Sequence, residues 1–445
     1  MKPYIVIQGP VATRSGYGAH TRELVTSLIN EDRYDIDIIS LPWGSTPMTA
    51  LDAENTEHSE ILKRIVTRNI PRKPDIFIQV SIPSEFIPAG KYNIGVTAGF
   101  ETTVIPGKQL EGCNKMDLII TTSEHSKKVI MSTVFNKHDE KTKQKIGELR
   151  MEKPCEVLFE GLRTHVFNKT AQSSSSVKHT LSEIKDNFCY LFVGHWLNGN
   201  VGHDRKDISM MIKTFCEAFK RRSSAKIPAL ILKTSNAKFS VLDRTRLEKK
   251  IQQLIAPYGN KAPNIYLLHG DLTDEEMNDL YNHPKVKAMV SFTHGEGFGR
   301  PLLEFSVTGK PVIASNWSGH IDFLKHATLL PGDLINVDKS AANDWLLPEA
   351  QWFRVNYQYA AGVLIDVMDN YKNYLKTSKL QQQHVLDNFT FEDMSKLFVK
   401  YIDDALESVP TEMKLNLPNL KKVSSNNNDT PKLKLPKLKK VTNEA

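Results

Sequence analysis

Short runs rich in β-branched residues alternate along the chain with stretches whose apolar positions recur every three or four residues, the pattern of parallel sheets flanked by helices. In the first half, residues 4–8, 35–40, 75–80, 93–97, 117–122 and 156–159 read as strands, and 19–29 and 126–135 are helices between them. These make one doubly wound domain over residues 1–170. A serine run followed by a charged, weakly apolar sequence interrupts the alternation at 171–187, which reads as a linker. The pattern then resumes with strands at 190–193, 229–233, 264–268, 287–291 and 311–314 and helices at 208–220 and 274–281, the last opened by a polar cap and early acids in Leu272-Thr273-Asp274-Glu275-Glu276. A second doubly wound domain over 188–380 accounts for them. Beyond it, Val385, Met394, Phe398, Ile402 and Leu406 keep a helical spacing, and 381–409 reads as a terminal helix returning across both domains.

After Val409 the pattern stops. Residues 410–445 are dominated by Lys, Pro, Asn and Ser, so a disordered basic tail is expected. It holds a near-repeat, LNLPNLKKV at 415–423 and LKLPKLKKV at 433–441. A duplicated docking motif and a low-complexity accident both fit it.

Composition adds limits. With 445 residues, 40% of them hydrophobic, the chain can fill two cores. The formal charge of +7 sits largely in the tail, where eight lysines face Glu412, Asp429 and Glu444. The body therefore does not read as a nucleic-acid-coating surface, whereas the tail suits a polyanion or a protein partner. No apolar run approaches the roughly 18–20 residues that span a bilayer. The opening MKPYIVIQGP lacks the features of a secretory leader and reads as the first core strand, so a cytoplasmic protein is expected. Cys113, Cys155, Cys189 and Cys216 form no CxxC pair and read as buried, reduced thiols.

The densest chemistry lies in HGEGFGRPLLEFSVTGKPVIASNWSGHIDFL, residues 294–324, which follows the apolar strand KAMVSF and opens into an amphipathic helix. A strand, a glycine-punctuated turn and a helix start bring backbone N–H groups together where a phosphate can be received, and Gly295, Gly297 and Gly299 permit close backbone approach. Glu296 and Glu304 then stand in the turn and about two helical turns beyond it. Taken singly, either is an ordinary solvated acid. There is no Walker loop, HExxH, zinc spacing or Ser/His/Asp constellation.

Together these residues resemble the E-x7-E signature of the retaining family-4 (group 1) glycosyltransferases. The GFG-P-x-x-E core reads here as Gly297-Phe298-Gly299-Arg300-Pro301-Leu302-Leu303-Glu304, and Gly309-Lys310-Pro311-Val312-Ile313-Ala314-Ser315 is similar to the strand that follows it in that family. Upstream, Phe192-Val193-Gly194 with Arg205-Lys206-Asp207-Ile208, and the strand ending at Lys233, resemble the opening of the family's donor domain.

The resemblance implies an α/β chain of the GT-B type, two Rossmann-like domains facing a central cleft. It implies sugar transfer from a nucleoside diphosphate sugar to a hydroxyl, with retention of configuration and no essential metal or resident cofactor. Glu296 would contact the donor sugar, Glu304 the ribose, and Gly16, Arg205 or Lys206, and Lys233 the diphosphate. Gly297, Phe298 and Gly299 would complete the donor site. Glu101, just past a strand's C-terminal end, is a candidate for the acceptor or reacting face, with a salt-bridging role as the alternative. His195 and His294 flank the inferred pocket and read either as sugar or phosphate ligands or as structural histidines. Arg163 stands where the family's turn often has an aspartate. Asp35-Ile36-Asp37 has the look of a metal-binding DxD, but its place in a strand argues against that. The aromatic segment DWLLPEAQWFRVNYQY, with Trp345, Trp352, Phe353 and Tyr357, reads as packing or as an acceptor wall. The acceptor class stays open among glycan, lipid-linked glycan and nucleic acid. An epimerase or hydrolase on the same fold, and an idle sugar-nucleotide-binding protein recruiting partners through its tail, are the alternative readings.

Overall fold

The computed structural model describes residues 2–409 apart from 68, 140, 171–174, 223–226 and 237–238. The basic tail with its repeat lies outside the described residues.

The first half runs β1 (Tyr4–Gly9), α1 (Gly16–Glu31), β2 (Asp35–Ser40), α2 (Thr56–Leu62), β3 (Ile76–Val80), β4 (Tyr92–Thr97), α3 (Gly107–Cys113), β5 (Leu118–Thr121), α4 (Glu124–Ser132), β6 (Phe135–His138), β7 (Lys145–Leu149) and β8 (Cys155–Val157). Six of these strands form one parallel sheet in the order β2-β1-β3-β4-β5-β8. Burial on both faces explains why the inner strands β3 and β5 are near-continuous apolar runs: every residue of each is buried. β6 and β7 form a separate antiparallel hairpin that the sequence pattern did not suggest; its strands are short and mostly exposed, so no apolar run marks them.

The second half runs α5 (Ser175–Ser182), β9 (Cys189–Val193), α6 (Ile208–Phe219), β10 (Ala229–Lys233), α7 (Val241–Ile255), β11 (Ile265–Leu268), α8 (Asp274–Asn282), β12 (Val286–Ser291), α9 (Arg300–Ser306), β13 (Val312–Ser315), β14 (Thr328–Leu330), β15 (Gly332–Asn336), β16 (Gln351–Val355), α10 (Tyr357–Asp369), α11 (Tyr371–Asn388) and α12 (Phe391–Glu407). The second parallel sheet has the order β11-β10-β9-β12-β13-β14, and β15 pairs antiparallel with β16. The capping box at Thr273 forms, its side chain and that of Glu276 each bonding the other's backbone.

Two details depart from the expected organisation. The segment read as a linker contains α5, whose Val177 and Leu181 join the core beneath the second sheet. The terminal helix is two: α11 packs Val385 into that core, the chain breaks at Phe389-Thr390, and α12 sets Met394, Phe398, Val399 and Ile402 against the first sheet. Thr390 caps the new start by accepting from the Asp393 N–H. The four cysteines are buried and free. No helix among the described residues is long and apolar enough to cross a membrane.

In each sheet the strand order reverses beside the first strand, β1 against β3 and β9 against β12. Loops leaving the C-terminal ends there diverge and open a crevice. The crevices of the two sheets share one cleft.

Candidate functional site

The cleft encloses a cavity of about 630 Å³ whose walls come from both halves. On the first-domain side lie Gly16 and Tyr17 at the start of α1, the loop after β4 from Ala98 to Thr102, and Glu160. Ser15 sets the α1 start by accepting from the Gly18 N–H at 3.0 Å. Tyr17 stacks on Trp43 with ring centroids 4.1 Å apart and shares a hydrogen bond with the Thr97 hydroxyl at 3.1 Å. On the other side stand His195, Arg205 and Lys206 from the β9–α6 loop, Lys233 at the end of β10, and the turn from Glu296 to Leu302.

The centre of the cavity is an array of two acids and two cations. Glu101 is ion-paired with Arg205, and its carboxylate lies 3.6 Å from Lys206; Lys206 is 2.6 Å from Glu296. Burial resists ionisation of Glu101, but the Arg205 and Lys206 charges outweigh it and hold the carboxyl below its ordinary value. Burial likewise opposes the Arg205 charge, and Glu101 more than restores it. His195 is pushed down to about 4 by burial and then by Arg205, Lys206 and Lys233, so it is a neutral ring among three cations. Its Nδ1 faces the Ser235 hydroxyl at 3.3 Å. Lys233 donates to the Gly270 carbonyl at 2.7 Å, and burial lowers its pKa. Gly16, Arg205, Lys206, Lys233, Glu296, Gly297, Phe298 and Gly299 all line this one cavity, as does Glu101. Glu101 is salt-bridged, as one of its two readings has it, and it also lies on the cavity wall.

Glu304 is placed differently. It is 8% exposed, does not itself line the cavity, and accepts from the Tyr281 hydroxyl at 3.0 Å. Burial drives its pKa up to about 8, against the pull of Arg300, so it is largely protonated at neutral pH.

The glycines of the turn serve a second purpose. A Cβ on Gly297 would stand 1.9 Å from the Ala98 carbonyl oxygen, and one on Gly295 2.3 Å from that of Glu101. These positions admit the backbone of the opposite domain, a close approach the sequence reading reserved for a phosphate. Thr122 spans the same seam by donating to the Gly297 carbonyl at 3.3 Å. Gly299 has φ +101°, a left-handed conformation that turns the chain into α9.

Sequence reasoning missed Arg300, although it lies inside the quoted motif. Its guanidinium grips both carboxylate oxygens of Glu23 at 2.6 and 2.9 Å and Glu160 at 2.8 Å, joining α9 to α1 and to the turn that leaves the first domain. Burial works against ionisation of Glu23, but Arg300 and His20 hold it down at about 2. Nothing local in the sequence pairs residues so far apart.

Other candidates fall away from the cavity. His294 is buried, stacks on Trp352 at 4.4 Å and approaches the Phe353 carbonyl at 2.6 Å through Nδ1, a structural placement. Arg163 bonds Glu57 at 2.7 Å, tying down α2. Asp37 accepts from the Tyr4 hydroxyl at 2.7 Å within the first sheet. No group of three or more metal-ligating side chains occurs among the described residues.

This arrangement of two parallel sheets sharing a cleft matches solved structures over nearly the whole chain. The fold is GT-B. Residues 206–342 match the family described as glycosyl transferases group 1, a span that holds Lys206, Lys233, Glu296 and Glu304. A glycosyltransferase from Rickettsia africae superposes with a TM-score of 0.59 at 15% identity, covering 91% of this chain and 99% of that one. Anabaena HepE in complex with UDP and glucose gives 0.56 at 11%, covering 90% and 100%. The E. coli trehalose-6-phosphate protein bound with UDP-2-fluoro glucose gives 0.59 at 10%, covering 92% and 100%. A comparison with curated proteins yields no match. At these identities the GT-B likeness speaks for the fold, and the group 1 match places glycosyltransferase sequence on the second-domain wall of the cleft.

Proposed function

We infer that this chain transfers a glycosyl unit from a nucleoside diphosphate sugar to a hydroxyl acceptor with retention of configuration. The observation that carries the reading is the cation array: Arg205, Lys206 and Lys233 gathered on one wall of the cavity, with Glu101 and Glu296 facing them. A departing nucleotide gains negative charge as the glycosidic bond breaks, and cations already oriented in a partly dry cleft stabilise that charge most in the transition state.

In this reading the diphosphate lies against Gly16, Arg205, Lys206 and Lys233, and Gly297, Phe298 and Gly299 bound the donor pocket. Glu296 receives sugar hydroxyls. Its backbone is fixed on both sides, the N–H donating to the Ser318 hydroxyl at 2.9 Å and the carbonyl accepting from the Gly319 N–H at 3.0 Å. Glu304 receives the ribose after turning from Tyr281. Glu101 faces the reacting carbon, where its charge opposes the positive charge that develops on the sugar. The acceptor hydroxyl attacks from the face the nucleotide is leaving. The bond from the anomeric carbon to the phosphate oxygen breaks, the bond to the acceptor oxygen forms, and a phosphate oxygen takes the hydroxyl proton. No metal or resident cofactor enters this scheme. The tail is assigned to recruiting a polyanion or a protein, and the protein to the cytoplasm. The seam between the domains limits the access of water, whose attack competes with transfer.

The test is nucleotide release from a panel of nucleoside diphosphate sugars, with and without acceptors, wild type beside Glu296→Ala. Acceptor-stimulated release that drops by about 100-fold or more in the variant is the expected result. Failure of every donor to bind or turn over would remove the reading. Anomeric configuration of the product, read by NMR, tests retention separately.

A further inference from the structure

The hairpin β15–β16 carries a long connection, residues 337–350, that forms one end wall of the cleft. Its base is a small apolar cluster of Val337, Ala341, Ala350 and Trp352, to which Val104 of the first domain contributes. The connection is tied on two further sides. Ser340 accepts from the Asn200 N–H at 3.0 Å, in the loop that leads to Arg205. Gln351 exchanges two hydrogen bonds with Thr103, each 2.9 Å long, next to Glu101 and Thr102. At its tip the Asn343 side chain accepts from the N–H groups of Trp345 and Leu346 at 2.8 and 3.0 Å, so the turn is held by its own side chain.

On this braced tip Trp345 is 44% exposed and lines the cavity. The other tryptophans are covered: Trp196 and Trp352 are buried, Trp43 lies on Tyr17, and Trp317 packs between His125 and Phe353. An indole held open at a fixed place is an apolar platform without a partner. The same cavity is lined by Thr102, Gln109, Leu197, Asn343 and Leu346, which offer hydroxyl, amide and aliphatic groups and no charge. Of the cations that line the cavity, Arg205 and Lys206 are paired with Glu101 and Glu296. In the reading above the donor diphosphate takes up Arg205, Lys206 and Lys233, which leaves the uncharged groups of the lining to the acceptor. A neutral pyranose fits them, with one C–H face on the indole and its hydroxyls on the amides.

We propose that the 337–350 connection is the acceptor subsite and that Trp345 is the platform for an uncharged saccharide ring. This rests on the transferase reading above. The experiment measures initial rates for wild type, Trp345→Ala and Trp345→Phe, with the donor found by the panel and with methyl α-D-glucopyranoside, maltose, glucose 6-phosphate and a single-stranded oligodeoxynucleotide as acceptor probes. A neutral saccharide is expected to be the acceptor. Its KM should rise about tenfold or more in Trp345→Ala and stay within about threefold in Trp345→Phe, while the donor KM holds in both. Trp345 is exposed, so the melting temperature should not move, which separates lost binding from lost folding. Transfer to glucose 6-phosphate or the oligonucleotide in preference to the neutral sugars overturns the proposal, as does an unchanged acceptor KM in Trp345→Ala. A wild type that turns over no donor removes the transferase reading itself, an outcome distinct from these.

Discussion

Glu304 offers a test in which the burial of one carboxyl sets the size of the effect. Burial holds its carboxyl at about 8 against an ordinary 4.5. Ribose hydroxyls are hydrogen-bond donors, and a carboxylate accepts from them far better than a carboxylic acid does. If Glu304 holds the ribose, donor binding must first remove its proton. At pH 6 that costs about 2.7 kcal/mol, two units at 1.36 each, and weakens binding about 100-fold relative to the alkaline plateau. The donor Kd should tighten about tenfold from pH 6 to 7, about fivefold from 7 to 8, and then level off. Calorimetry at pH 7 in buffers of different ionisation enthalpy should show release of about 0.9 proton per site. A nucleoside diphosphate sugar suits the assay because its diphosphate does not titrate in this window. Glu304→Gln should abolish the slope. The same group has a signature without ligand. Its folded value is raised, so its stabilising contribution is complete below pH 4.5 and is lost as pH rises through about 8. The empty wild type should lose stability over that range relative to Glu304→Gln. A flat wild-type Kd between pH 6 and 8, or a slope that survives in Glu304→Gln, would refute the ribose assignment and leave Glu304 a core residue bonded to Tyr281.

Three other substitutions probe the rest of the cleft. Arg300→Met strands Glu23 and Glu160 in a buried place and should destabilise the protein by about 3–5 kcal/mol in chemical denaturation at pH 7, part of which the Glu23→Gln double variant should restore. Glu101→Gln releases Arg205 and Lys206, so donor should bind about tenfold more tightly while transfer slows by about tenfold or more; parallel weakening of both would show that Glu101 acts only by holding the cations in place. Gly297→Ala drives a Cβ into the Ala98 carbonyl and must part the two domains, so donor turnover should fall by orders of magnitude and protease sensitivity of the seam should rise; wild-type activity would show that the seam is not needed for catalysis.

Much of this protein is written locally. Strands buried on both faces read as near-continuous apolar runs, so β1 and β10 lie within a residue of where the pattern puts them; the edge strand β2 is found by its apolar-polar alternation instead, and α8 starts at its capping box. The strand–turn–helix that carries Glu296 and Glu304 was legible because β12, the turn and α9 are contiguous in the chain. The hairpin of β6 and β7 carries no such run and went unseen, and so did the packing of α5 in what read as a linker. What only the tertiary structure decided is everything that depends on two distant segments meeting. The pairing of Glu101 with Arg205 and Lys206, the grip of Arg300 on Glu23 and Glu160, and the backbone contact at Gly297 each join the two halves, and no local pattern encodes them. The raised pKa of Glu304 follows from burial under neighbours that the sequence does not name. Trp345 and Trp352 look alike in the chain, seven residues apart in one aromatic segment. Packing buries Trp352 in a small cluster with Val337, Ala341 and Ala350 and leaves Trp345 facing the cleft, because which of the two meets that cluster is set by the fold of the whole connection and not by the residues beside either one.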